Sequence, residues 1–176
     1  MPAVRPLPGA LTMLLWFVGT AILSVHFVFN DPRFDYRLLI AGALLPDLID
    51  LPLGRAGWAH SVTVAVAVLA AVMVATGRRS PHRGLLLGLP IGMLLHLVWD
   101  GAFTMTRVFW WPFSGGWGDQ SVPSVGRGWL SLVLEVAGAA MLWRLWRRFG
   151  LADPQRRTDF VRHGALAVRS TGQGGE

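Results

Sequence analysis

"LLPDLIDLPLGRAGWAHS", residues 44–61, sets Asp47, Asp50, Arg55 and His60 between two runs oily enough to sit in a lipid bilayer. An aspartate near a bilayer centre costs about 2.5–3.5 kcal/mol on insertion scales. With Asp100 further along the chain, three of them unpaired would approach roughly 10 kcal/mol, comparable with the whole stability of a typical domain, about 5–15 kcal/mol. These groups must therefore lie near an interface, pair with an opposite charge, or bind a cation. Arg55 can neutralise only one carboxylate, whereas a metal ion satisfies several at once.

The chain around this stretch has 176 residues, 53% of them apolar and 15% charged. A soluble domain carries closer to about 25% charged residues, and apolar runs of bilayer-spanning length, about 17–25 residues, recur here. The composition indicates an all-α polytopic transmembrane bundle of about five helices. Residues 1–150 form one membrane-embedded domain carrying the site, and 151–176 a polar tail expected to be disordered and cytoplasmic. With no cysteine present, any metal must be held by histidine and carboxylate. The formal charge of +6 comes from arginines in short loops and the tail, so it follows the positive-inside rule and implies no nucleic-acid partner.

Five helical segments are expected, over 10–29, 36–51, 59–76, 84–104 and 129–149. The first is read as an uncleaved transmembrane helix, since the apolar run is long and no small-x-small cleavage site follows it. The second is short: at about 1.5 Å per residue it falls below the roughly 30 Å of a hydrocarbon core, so it either spans or re-enters. Residues 109–129, rich in Gly, Trp and Pro, read as an interfacial loop in which Trp110, Trp111 and Trp117 could rim a lipid-facing site. Arg78, Arg79 and Arg83, with Arg144, Arg147, Arg148 and the tail arginines, belong in the cytoplasm, which places the N-terminus outside. On this topology Asp47, Asp50, His60, His96 and Asp100 converge on the outer membrane face.

The spacings suit a metal. His96 and Asp100 are four apart and share a helix face; Asp47 and Asp50, three apart, do so if the helix continues past Pro46. Two histidines and three aspartates make a nitrogen-and-oxygen set suited to a divalent ion, zinc foremost and manganese or iron next. Five candidate ligands exceed the three usual at a catalytic zinc, which leaves room for two metals. Ser61 opens a helix and reads as its cap. His26 has no acidic neighbour at helical spacing and reads as a core or interfacial residue, while His82 and His163 have no site role. Gly84, Gly88 and Gly92 form a small-residue stripe for close packing. Glu135, an intramembrane carboxylate, could pair with Arg107 or Arg127 or join the metal site.

"GALLPDLID", then "GRAGWAHSV", then "LLHLVWDGAF" and "WWPFSG" resemble the YdjM-like, LexA-regulated family of membrane-bound metal-dependent hydrolases, over about residues 40–115. The shared elements are Pro46-Asp47 with Asp50, His60-Ser61, His96 with Asp100, and Trp111-Pro112-Phe113. Many members have Pro-Asp-x-Asp followed by His, where this chain has Asp50 then Leu51, and a His-Arg pair where it has Arg55-Ala56. The resemblance implies a multi-pass protein of a prokaryotic inner or plasma membrane. It would hydrolyse a phosphoester or lipid at the extracytoplasmic face, with Asp50 as proton acceptor and Arg55 holding anionic charge. The alternative is a small transporter or ion-binding protein using the same cluster without catalysis.

Overall fold

Apolar runs without side-chain hydrogen bonding close their backbone bonds internally as helices, and the computed structural model, which describes residues 13–29, 34–53, 55–80, 82–115, 129–164 and 166, consists over these segments of helices joined by turns, with no strand. The helices are α1 (Leu14–Phe29), α2 (Tyr36–Asp50), α3 (Val62–Ala75), α4 (Arg83–Asp100), α5 (Thr106–Phe109), α6 (Trp129–Arg148) and α7 (Pro154–His163). α4 and α6 are long and apolar enough to cross a membrane; α1 and α3 are apolar but shorter.

Polar caps set several boundaries. Asp35 accepts the Arg37 N–H at the start of α2, and Ser61 accepts the Thr63 N–H at the start of α3, as its position suggested. α3 thus begins at Val62, and His60 sits before it in a 3-10 turn, Trp58–His60. α4 stops at Asp100 because Gly101 is left-handed (φ 72°), so the expected extension to 104 is instead a 3-10 turn, Ala102–Thr104. α2 runs unbroken through Pro46 to Asp50.

Two parallel helix pairs organise the bundle. Along α2 and α4 the close approaches advance together: Gly88 meets Asp35 and Leu39, and Gly92 meets Leu39 and Ala43. Gly84 meets nothing within 4 Å, so the small-residue stripe works at two positions only. α1 and α6 also run parallel, with Gly138 against Leu15 and Trp16 and Phe149 edge-on to His26. α1 crosses α4 in the opposite sense, placing Phe17 against His96 with ring centroids 4.1 Å apart. α6 buries only Ser131, Gly138 and Leu145, a seven-residue repeat that faces α1 as a narrow seam.

Among the described residues Glu135 pairs with no arginine and does not join the metal candidates; Arg127 lies outside them. Its carboxylate accepts the backbone N–H groups of Leu15 (3.1 Å) and Trp16 (3.2 Å), capping α1 from a neighbouring helix. The first-turn N–H groups of a helix lack intrahelical partners and carry the positive end of its dipole, which favours an anion there. Hydrogen bonds to charged groups contribute about 1.5–3 kcal/mol. Glu135→Ala is therefore expected to lower stability by about that amount, and Glu135→Gln by less; thermal unfolding in detergent checks both.

The tail departs from expectation. Instead of disorder from residue 151, α7 forms with Asp153 as N-cap and Pro154 in its first turn. Its C-terminal carbonyls, those of Val161 and Arg162, accept from the Arg37 guanidinium. Tyr36 N–H donates to the Gly164 carbonyl at 2.9 Å, and Leu166 is buried in the cluster of Ala21, Ile22, Val25, Tyr36 and Leu39. A polar composition hid two apolar anchors, Phe160 and Leu166, that tie the segment down. Residues 116–128, with Trp117 and Arg127, lie outside the described residues, as do 1–12.

Candidate metal centre

The parallel packing of α2 and α4 sets Asp47, one turn before the end of α2, beside His96, one turn before the end of α4. The 3-10 turn Trp58–His60 folds back between them. His60 Nε2 lies 3.3 Å from Asp47 Oδ1, His96 Nε2 lies 3.5 Å from the same oxygen, and the two Nε2 atoms are 3.4 Å apart. The three atoms form a nearly equilateral triangle. A tetrahedral ion bonded at about 2.0–2.2 Å to nitrogen and oxygen holds its ligands about 3.3–3.6 Å apart. The donor set, two imidazoles and a carboxylate, is one that zinc accepts.

The other ring nitrogens fix what each imidazole presents. His96 Nδ1 lies 2.7 Å from the Ala43 carbonyl oxygen, which can only accept, so Nδ1 carries the proton. His60 Nδ1 lies 2.7 Å from Asp50 Oδ2, an oxygen that also accepts the Gly57 N–H at 2.7 Å. When neutral, each imidazole therefore turns an Nε2 lone pair inward, toward a carboxylate oxygen. One proton shared between His60 and Asp47 would satisfy one edge of the triangle and leave His96 facing two acceptors. A cation at the centre satisfies all three, and His60 and His96 are too buried for water to do so cheaply.

Of the expected ligands, Asp47, His60 and His96 are thus brought together, with one ligand atom from each mutually within 4.8 Å. Asp50 is not. It stands behind His60, at the ring nitrogen remote from the triangle, because the chain turns at Leu51–Leu53 and carries His60 past it. The expected roles of Asp50 as ligand and proton acceptor give way to that of a partner orienting the imidazole. Its Oδ1 is buried without a hydrogen bond among the described residues. Asp100 is fully buried one turn beyond His96, but it lies outside the close group of three. Arg55 is half-buried in the bend leading into the 3-10 turn. A second metal finds no second set of ligands among the described residues.

Two contributors escape any reading of side chains: the Ala43 carbonyl and the Gly57 N–H act through the backbone. Ser61 closes the region by donating its hydroxyl to the Trp111 carbonyl at 2.7 Å, pinning the turn after α5 to the start of α3.

Comparison with protein-family models, curated proteins and solved structures returns no match.

Proposed function

We propose that this protein is a membrane-bound metal-dependent hydrolase, of the YdjM-like kind its motifs resemble, cleaving a phosphoester or acyl bond of a lipid at the extracytoplasmic face. The observation that carries the metal is the triangle of Asp47 Oδ1, His60 Nε2 and His96 Nε2, three lone pairs turned on one point. Asp47, His60 and His96 would hold the ion, with zinc favoured by spacing and donor type. When bound, zinc supplies Lewis acidity, polarising a phosphoryl or acyl oxygen and acidifying a water. Asp50 and the Ala43 carbonyl keep the two imidazoles aimed. Asp47 alone of the triad keeps some exposed side-chain surface, 13%, so it is the acceptor nearest an entering water. Arg55 meets the anionic part of the substrate.

The surface supports a bilayer around the bundle. Leu132, Val136 and Trp143 on α6 are 69%, 62% and 61% exposed, and Val74 on α3 is 88% exposed. Water would penalise such faces along helices that bury so little, whereas lipid solvates them. In this reading α1, α2, α3, α4 and α6 cross or enter the membrane, the shorter ones by local thinning. The arginines of the α3–α4 turn and of the α6 end gather opposite the metal site, which supports a cytoplasmic C-terminus. Leu48, Leu51, Leu53, Phe103, Trp110 and Phe113 are exposed at the site's end of the bundle, an apolar collar that supports a lipid-tailed substrate over a water-soluble one.

The test is hydrolysis of labelled phospholipid in mixed micelles by zinc-loaded protein. Headgroup or acyl release, abolished by a chelator and restored by zinc, is the expected result. Stoichiometric metal with no turnover of any phospholipid class would sink the hydrolase and leave an ion-binding site used without catalysis.

A further inference from the structure

A second surface lies at the opposite end of the bundle from the metal triangle, where α6 ends and α7 folds back beside it. Arg147 stacks over the Trp143 ring with its guanidinium carbon 4.9 Å from the centroid. Arg157 of α7 lies over the Trp146 ring at 6.0 Å. Val161, one turn on from Arg157, is 68% exposed although apolar. Arg144, Arg148 and Arg162 are exposed beside them, so the stretch 143–163 carries six arginines against two aspartates, Asp153 and Asp159. Asp153 is already used as the cap of α7. The backbone here is held in place, since the Arg156 guanidinium donates to the Phe149 carbonyl at 3.2 Å and Arg37 holds the far end of α7.

Exposed tryptophans with arginines stacked on their faces combine an apolar plane with fixed positive charge. Bulk water rewards neither together; the boundary between acyl chains and phosphates rewards both. We propose that the strip of Trp143, Trp146, Arg147, Arg157 and Val161 is a binding site for the headgroup of an anionic phospholipid in the adjoining leaflet. The ring edges and Val161 meet the upper acyl chains. The guanidiniums of Arg147 and Arg157 take the headgroup phosphate, for which their planar fork is suited. The site rests on the membrane reading of the bundle and is independent of the metal and of any hydrolysis.

The experiment uses the full-length protein in phosphatidylcholine vesicles that contain either brominated phosphatidylglycerol or brominated phosphatidylcholine as the minor component. Tryptophan quenching reports which lipid sits against the strip. Wild type is expected to show preferential quenching by the phosphatidylglycerol. Arg147→Gln with Arg157→Gln is expected to lose the preference by about fivefold per arginine. Arg78→Gln with Arg79→Gln removes equal charge from exposed positions of the α3–α4 turn at the same end and is expected to keep most of it. Equal quenching of wild type by both lipids overturns the site, and equal losses in the two double variants reduce it to diffuse surface charge and overturn it as well. Helix content measured in phosphatidylcholine alone separates a folding defect from a lost site; if the arginine pair misfolds, Trp143→Phe with Trp146→Phe, which removes the reporting rings, must abolish the preferential quenching. A chain that stays monodisperse without detergent refutes the membrane reading itself, an outcome distinct from either.

Discussion

Replacing His96 with alanine is expected to empty the proposed metal site. Purified wild-type protein is expected to carry close to one zinc per chain by elemental analysis, and His60→Ala, His96→Ala and Asp47→Ala each far less. The triangle supplies three ligands, and removing one leaves two, too few to compete with water and buffer for a divalent ion. Affinity should fall by more than the roughly 10–100-fold that loss of an outer hydrogen-bonding partner costs. Asp50→Asn is expected inside that range. Its amide oxygen can still accept from His60 Nδ1 at the 2.7 Å position, so the ring stays oriented while its basicity falls. A cobalt-loaded Asp50→Asn variant should keep a tetrahedral visible spectrum, shifted from wild type. If Asp50→Asn instead abolishes metal as completely as His96→Ala, Asp50 is a ligand and the orienting role assigned to it is wrong. Zinc should also raise thermal stability by mass action, by about 2.7 kcal/mol at a hundredfold excess over Kd, and should do so only where the triad is whole. Wild type that binds no ion after incubation with zinc, manganese or iron would leave the triangle as a proton-sharing cluster.

Gly92→Ala should be strongly damaging, because the methyl group it adds points into the backbone of α2. A Cβ at Gly92 would stand 2.7 Å from the Ala43 backbone nitrogen and 2.9 Å from the Gly42 carbonyl carbon. These are backbone atoms of α2 and cannot rotate away. Overpacking that side chains can partly absorb already costs about 1–3 kcal/mol, so the cost here is expected to exceed that range. Separating α2 from α4 also withdraws the Ala43 carbonyl from His96 and Asp47 from both imidazoles, so any protein that does fold is expected to bind no zinc. Gly84→Ala is the matched control. Nothing lies within 4 Å of its would-be Cβ, and alanine favours a helix over glycine by about 1 kcal/mol, so that variant should be neutral or slightly more stable. Paired melting curves in detergent decide it; equal stability of the two variants would show that α2 and α4 have room to part.

Much of this was written in the order of residues. Alternation of oily runs with polar turns indicated the longer helices but not the short α5 and α7, and two boundaries moved where a local device intervened: Ser61 as a cap and Gly101 in the left-handed region. His96 was legible as a site residue because of what surrounds it, and Asp47 and His60 for the same reason. What one-dimensional spacing misjudged was direction. Asp47 and Asp50 lie three apart on one helix and belong to the same site, yet one faces the inner side of His60 and the other its back. Helical periodicity says which residues share a face, not where a following turn will place the ring they meet. Glu135 looked like a metal or arginine partner because the backbone N–H groups it binds belong to α1, about 120 residues earlier, and backbone donors have no letter in a sequence. α7 was lost in polar composition for a related reason: a short helix is held by a few long-range contacts, here Arg37 and Leu166, and not by its own periodicity. The helical class, the apolar character and the chemistry of the candidate ligands all follow from residue order. Which three atoms meet is settled by packing, because it depends on the Gly88 and Gly92 contacts that let α2 approach α4, and on backbone groups that every residue shares.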